Sequence, residues 1–336
     1  MRVLAACDKF KGTLTAAQAC AAVGAACWDL GIECTEMPMA DGGEGTLEIF
    51  GGPNRSTVVA GPLGDPVRAE WRLSGGTAVI EMARASGLAL VGGAEKNDPV
   101  AATTKGTGQL IDEALTLGAK RIIVCLGGSA TTDGGLGAVR AIGTPARLKA
   151  VEFLVACDVE TYFAEAADVF APQKGASPAQ VRLLRGRLEQ LAGTYEREFG
   201  VSVGALEGSG AAGGLAGGLA ALGATLLPGF QMVAEETGFD EAVRTHDLLI
   251  TGEGMLDATS YDGKVVGDAL AWAREVGTPA LCVVGDIDPD LPQGFAIRSE
   301  AHSLTAAYGR EEAMARPVRC IEEVVRGILL QRTGRG

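Results

Sequence analysis

Four of the eight lysines stand beside a glycine, in Lys11-Gly12, Lys105-Gly106, Lys174-Gly175 and Gly263-Lys264. Arginine is much the commoner cation of this chain, so the few lysines look placed. A glycine-rich turn lets backbone N–H groups close on an anion, and a neighbouring ammonium adds a mobile point charge. Any one such pair is better explained as an ordinary loop; four of them between regular elements favour anion binding. Carboxylates follow the same habit, in Asp41-Gly-Gly-Glu44, Asp133-Gly-Gly135, Gly252-Glu253-Gly254 and Gly285-Asp286. Acids in flexible loops after strands can hold Mg2+ or orient a hydroxyl. Asp133 taken alone fits a turn former or helix cap equally well. Acid and lysine loops alternating in an acidic chain point to a metal-neutralised anionic substrate such as a nucleoside triphosphate.

Other chemistries find little material. No G-x-x-x-x-G-K-[ST] loop exists, because Ala258 and Val265 stand where Gly263-Lys264 would need Gly and Ser or Thr. Ser129 in Gly127-Gly-Ser-Ala-Thr131 lacks the second glycine of a nucleophile elbow. The eight cysteines contain no C-x-x-C and the histidines are only His246 and His302, too little for a zinc site or a Cys–His pair. Cys20, Cys27 and Cys34 recur every seven residues, but Gly31 interrupts any helix that would carry all three; they read as small buried apolar residues. Gly208-Ser-Gly-Ala-Ala-Gly213 does match G-x-G-x-x-G, with Glu235 and Glu236 further on, and makes a dinucleotide-binding oxidoreductase a rival reading. The preceding segment holds Gly200 and Gly204, a poor central strand.

A net charge of −13 has the wrong sign for a duplex nucleic-acid partner, and 5% aromatic residues disfavour a single-strand stacking surface. With 47% hydrophobic and 21% charged residues the chain can fill a large core, which rules out a disordered protein. No apolar run is long enough to span a membrane. The opening residues resemble a strand and not a signal peptide, so a cytoplasmic protein is expected.

These loops need elements to hold them. Arg2–Cys7 reads as a buried strand, about Thr15–Asp29 as a helix capped by Thr15 and stopped at Gly31, and Ile32–Met37 as a second strand. Val67–Leu73 and Thr77–Met82 read as a hairpin. Helix and strand then alternate through Gly106–Leu117, Arg121–Leu126, Val151–Cys157, Pro178–Glu198 and Ala211–Leu222. Asp247–Thr251, a loop Gly252–Gly263, Lys264–Glu275, Ala280–Gly285 and a terminal helix Arg310–Gln331 complete the chain. The rhythm is that of an α/β protein with parallel sheets. At 336 residues two domains are expected: a Rossmann-like, doubly wound domain from residues 1–60 and 240–336, and an inserted α/β domain over 61–239.

Taken together the loops resemble the bacterial glycerate kinase family. The resemblance rests on Cys7-Asp-Lys-Phe-Lys-Gly-Thr-Leu14, Pro38–Thr46, Gly61-Pro-Leu-Gly64, Val79-Ile-Glu-Met-Ala83 with Ser86-Gly-Leu88, and Thr103-Thr-Lys-Gly-Thr-Gly108. It continues through Gly127–Gly135, Cys157-Asp-Val159, Pro172-Gln-Lys-Gly-Ala176, Gly210-Ala-Ala-Gly-Gly-Leu215 and Thr251-Gly-Glu-Gly254. It implies transfer of a phosphoryl group from ATP, with Mg2+, to D-glycerate, with 2-phosphoglycerate the favoured product, in a cleft between two domains. By residue type Lys9, Lys11 and Lys264 become phosphate or carboxylate clamps, Asp41 or Asp133 the general base, and Glu44 and Glu253, with Asp41, metal ligands. Asp8, Gly42, Gly43, Lys105, Gly127, Gly128, Ser129, Lys174, Gly252 and Asp257 complete the expected binding set. Expected partners are glycerate and ATP, with neither nucleic acid nor membrane; a homo-oligomer is left open.

The sequence also departs from the family pattern. Thr132 replaces an Asn, the stretch between Val139 and Val151 is short, Glu160-Thr-Tyr-Phe163 replaces a Thr-Asn-Pro-Leu run, and Met255, Thr259-Ser260 and Val266 replace the usual residues around the Gly-Lys pair. The shortened stretch 143–168 is expected to border the site and to loosen acceptor selectivity. A relative acting on another small hydroxy acid, or a non-catalytic nucleotide binder, are the alternatives.

Overall fold

Order begins with a strand that is buried almost from its first residue, β1 (Arg2–Cys7). The computed structural model describes residues 1–261, 263–291 and 301–334. Thr15 starts α1 (Ala16–Asp29) with a reciprocal cap, its hydroxyl accepting from the Gln18 N–H while the Gln18 side chain accepts from the Thr15 N–H. Gly31, in the left-handed region, turns the chain into β2 (Glu33–Glu36). Three strands follow: β3 (Arg55–Ala60), β4 (Pro66–Ser74) and β5 (Thr77–Glu81). Next come α2 (Lys105–Thr116), β6 (Arg121–Cys125), α3 (Leu136–Ala141), β7 (Glu152–Ala156), α4 (Pro178–Phe199), α5 (Ala211–Ala221) and β8 (Thr225–Leu227). The last third holds β9 (Leu248–Leu256), α6 (Val265–Val276), β10 (Ala280–Ile287), β11 (Ala301–Ser303) and α7 (Pro317–Thr333).

The chain divides into two compact units, one of residues 1–41 and 230–336 and one of residues 42–229. The sequence reading put the joins at 60/61 and 239/240, and packing moves both. β3 belongs with β4, to which it pairs antiparallel along six residues. Phe230 packs edge-on against Phe239 and Trp272, which ties the 229–237 helix to the first unit.

In the first unit all strand pairs are parallel, in the order β11-β10-β9-β1-β2. One face is covered by α1 and α7, through Val23, Cys27, Ile321 and Val325, and the other by Val266 and Leu270 of α6. This is the doubly wound domain read from the sequence. Two element expectations change. β9 runs on to Leu256, paired with Ile287, so Gly252 and Glu253 lie within a strand and not in a loop. Glycine permits this tight pairing, since a Cβ on Gly252 would stand 2.2 Å from the Val283 carbonyl oxygen. Pro317 divides the terminal helix into Arg310–Ala315 and α7.

The second unit holds a six-stranded sheet, β3-β4-β5-β6-β7-β8, antiparallel at its first two pairings and parallel at the other three. Trp71, Ile80, Leu110, Val124 and Val155 fill its core. The short stretch 143–150 delivers the chain to the amino end of β7. All eight cysteines are free thiols and most are buried.

Candidate active site

In a doubly wound sheet, ligands gather at the carboxyl ends of the strands where the winding direction reverses. Here that point lies between β1 and β9. Cys7 pairs with Gly252, and the next residue, Asp8, donates its N–H to the Gly252 carbonyl at 2.8 Å. The register therefore brings Asp8 and Glu253 together, and both are buried carboxylates. Burial pushes Asp8 up to about 6; neighbouring Lys9 opposes the rise and Asp41 adds to it. Burial pushes Glu253 up to about 7, opposed by Ser260 and Lys264 and aided by Asp8 and Asp257. Lys9 Nζ lies 3.6 Å from Asp8 Oδ1 and 3.9 Å from Asp41 Oδ1. Lys11 is exposed on the same loop, before Gly12 in the left-handed region.

Asp257 forms a small turn, its Oδ1 accepting from the Thr259 N–H at 2.8 Å, and Lys264 Nζ donates to the Thr259 hydroxyl. Lys264 occupies the N-cap of α6 and its side chain makes no cap. A cation at the positive end of a helix is unfavourable until an anion joins it. Of the expected set, the structure thus brings Asp8, Lys9, Asp41, Glu253, Asp257 and Lys264 to one end of one sheet.

A divalent cation fits this group. Among the described residues Glu253 Oε1 is buried with no hydrogen-bond partner, and Asp8 and Asp257 stand near its carboxylate. Among the described residues no three His, Cys, Asp or Glu side chains form a metal cluster, but Mg2+ commonly takes one or two carboxylates and completes its shell with water and phosphate. Asp8 and Glu253 are suited to it. Glu44 is exposed and belongs to the second unit.

The second unit builds its own polar cluster around Asp133. Asp133 Oδ2 accepts from the Thr104 N–H and hydroxyl, both at 2.9 Å, from the Gly137 N–H at 3.1 Å and from the Thr103 hydroxyl at 3.4 Å. Among the described residues Oδ1 accepts only from the Gly135 N–H, at 3.1 Å. One oxygen is anchored and the other keeps a lone pair for a ligand. The loop behind it, Gly127-Gly128-Ser129, makes a bridge from Ser129 to Gly87, and a Cβ on Gly127 would come within 3.2 Å of Gly43 Cα. Gly42 is buried in the left-handed region against Ala156.

Two lysines of the expected set part company here. Lys105 is exposed, at the start of α2. Lys174 is only 2% exposed, donates to the Thr131 carbonyl at 2.6 Å, and is held down to about 7 by burial, with Asp133 acting against the fall. It supports the loop from beneath and has no free face for a substrate. Asn97 completes the support, donating to the carbonyls of Ala130 and Lys174 at 3.0 and 2.9 Å.

Glu81 lies outside the expected set. It is buried at the end of β5, and its Oε1 accepts from the N–H groups of Gly45 and Leu47, each at 2.9 Å, while Arg84 binds Oε2. It fixes the turn that follows Asp41-Gly-Gly-Glu44. The signal was present, an acid closing an apolar strand inside Val79–Ala83.

The G-x-G-x-x-G run is not a phosphate loop. It follows the Val203–Ala205 turn and no strand, and its glycines press on protein backbone. A Cβ on Gly210 would lie 2.5 Å from the Tyr162 carbonyl oxygen, and one on Gly213 2.0 Å from that of Thr131. The Gly213 carbonyl accepts from the Gly134 N–H at 3.0 Å, so the run braces the Asp133 loop. The shortened stretch is likewise repositioned. Residues 143–150 precede the amino end of β7, whereas Thr161 and Tyr162, beyond its carboxyl end, pack on Gly210.

A wound parallel sheet with acids and lysines at its switch point, joined to an inserted α/β unit that presents an anchored aspartate, defines a two-unit α/β enzyme. The Glycerate kinase family profile matches residues 3–146 and 143–331. The chain belongs to the glycerate kinase family, a family of phosphotransferases. It is 38% identical to a glycerate kinase of Halalkalibacterium halodurans, covering 97% of each chain. It is 37% identical to the glycerate 2-kinase of Escherichia coli K12, covering 87% of each. A crystal structure named for glycerate kinase 2 of Salmonella typhimurium LT2 superposes with a TM-score of 0.83 at 32% identity, over 100% of this chain and 99% of the other. Among the described residues no helix is long and apolar enough to cross a membrane.

Proposed function

We propose that this enzyme transfers the γ-phosphoryl group of ATP to D-glycerate, with the 2-phosphate as product. The observation that carries the reading is the group at the β1–β9 switch point, where Asp8, Glu253, Lys9 and Lys264 meet beside an uncapped helix N-terminus. Phosphoryl transfer asks little of a protein beyond placed cations and an aligned hydroxyl. Lys9, Lys11 and Lys264 are assigned to the phosphates. Asp8 and Glu253 are assigned to Mg2+, which when bound offsets the triphosphate charge. Asp41 and Asp133 are the acids available to take the acceptor's proton. The hydroxyl oxygen bonds to the γ-phosphorus, its proton passes to a carboxylate, and the bond to the β-phosphate oxygen breaks to release ADP.

A coupled ADP-release assay with glycerate, lactate, tartronate and glycolate tests this, with 31P NMR to locate the phosphate. Acid-dependent ADP release led by glycerate is expected. ADP release indifferent to every acid overturns the reading.

A further inference from the structure

Among the described residues the two sheets end in four edge strands, β11 and β2 in the first unit and β3 and β8 in the second. An open edge carries unpaired N–H and C=O groups that invite another chain, so proteins keep their edges short or charged. β8 and β11 are three residues long. β2 has four residues and bears an exposed glutamate at each end, Glu33 and Glu36. β3 has neither defence. Its six residues, Arg-Ser-Thr-Val-Val-Ala, carry a charge only at the first position, and Val58 stands 61% exposed near the middle.

The hydrogen bonds at one end of β3 tell which of its groups are free. Alternate residues of an antiparallel strand direct their N–H and C=O groups to the same side. Gly61 donates its N–H to the Asp65 carbonyl at 2.7 Å, in the register of the β3–β4 ladder, so Arg55, Thr57 and Val59 also face β4. Ala60 points the other way, and its N–H donates to Gln109 Oε1 of α2 at 2.8 Å. α2 also lies against the Ala60 carbonyl, where a Cβ on Gly106 would come within 2.0 Å of the oxygen. The open part of the edge is therefore the N–H and C=O groups of Ser56 and Val58.

We propose that β3 is the interface for a second copy of this chain, pairing antiparallel about a two-fold axis at Thr57 and joining two six-stranded sheets into one. A two-fold places residues of one face opposite residues of the same face, and the free groups choose among the registers this allows. With Thr57 on the axis, Ser56 of each copy lies opposite Val58 of the other, and every free group finds a partner. A register centred on Val58 would call on the Ala60 N–H, which Gln109 already holds. Arg55 then lies opposite Val59, so no like charges face each other. The contact uses the same patch on both copies and consumes it, which stops assembly at two.

Sedimentation equilibrium of the full chain measures the dimer dissociation constant. Wild type is expected to pass from monomer to dimer as concentration rises. Val58→Pro deletes an outward N–H and spares the β3–β4 ladder, where an edge strand tolerates proline; it should raise the constant at least tenfold. Val58→Glu puts a charge on the edge, opposite Arg68 of its own β4, and should do the same. Adding Ser56→Lys, which this register sets against position 58 of the second copy, should bring the constant back to within about threefold of wild type. Urea midpoints identify a variant that fails to fold, and Val58→Glu decides alone if Val58→Pro is one. A dimer that neither Val58 variant weakens overturns the proposal, as does assembly beyond two. A wild type that stays monomeric at every concentration also overturns it, and leaves the edge to a strand of another protein.

Discussion

Lys11 and Asp41 share a sheet end but differ in what holds them. Lys11 is an exposed ammonium on a glycine turn, whereas Asp41 sits within an ion-pair distance of Lys9. Lys11→Ala and Asp41→Ala should each lower kcat/KM by about two orders of magnitude, the usual loss when transition-state charge goes unmatched. The urea midpoint of Lys11→Ala should hold, because exposed loop changes rarely cost more than about 0.5 kcal/mol; near wild-type turnover in either variant cancels its role. Lys174 is the opposite case. Its folded value of about 7 lies below the roughly 10.4 of an unfolded lysine. Below pH 7 both states carry the proton and the cost of burying the charge is complete. Above it the folded state sheds the proton first, so stability rises with pH up to the unfolded value, by at most about 1.4 kcal/mol per pH unit. Urea titrations at pH 6.5 and 8.5 should show wild type gaining on Lys174→Met; parallel curves would return Lys174 to an unremarkable buried amine. The sequence exposed Lys174 as special through its glycine neighbour, but residue type alone could not say whether the ammonium faced a ligand or a carbonyl. Burial decides that, and burial is a property of the fold.

Local patterns were readable where one element specifies itself. The Thr15 cap, the Gly31 stop and the β4–β5 hairpin each follow from a few adjacent residues. What could not be read depends on distant partners. β9 extends to Leu256 because β10 pairs with it there, and β3 exists because β4 does. The G-x-G-x-x-G run has the spacing of a nucleotide loop and the surroundings of a packing joint, with Ala212 the only non-glycine in the left-handed region among the described residues. Gly213→Ala should therefore destabilise the protein by roughly 1–3 kcal/mol, the cost of overpacking a filled site, and lower turnover through the Asp133 loop. NAD and NADP should leave the melting temperature of the wild type unchanged while ATP–Mg2+ raises it. A dinucleotide shift that Gly213→Ala abolishes would restore the rival reading.

For the whole molecule, the insertion of one unit into the other makes a prediction about independence. The first unit takes strands from both chain ends, and β1 lies between β2 and β9, partners separated by the entire insert. The insert has its own sheet and its own core around Trp71 and Ile80. Its two ends touch, since a Cβ on Gly42 would come within 2.8 Å of Gly229 Cα. The chain therefore leaves and re-enters the first unit at neighbouring positions, and a few residues can span the gap. Replacing residues 42–229 by a short Gly/Ser linker should leave a protein that unfolds cooperatively in urea. Loop closure favours it, because closure entropy falls as a loop shortens, by about 0.6 kcal/mol per halving. The acids and lysines of the switch point all remain, so ATP–Mg2+ should still raise its melting temperature, and Lys264→Ala should weaken that response. Residues 42–229 alone should fold as well, with no response to ATP. A linker protein that folds but ignores ATP–Mg2+ would mean that the first unit's cluster does not bind the nucleotide unaided, and the clamp roles of Lys9, Lys11 and Lys264 would have to be reassigned.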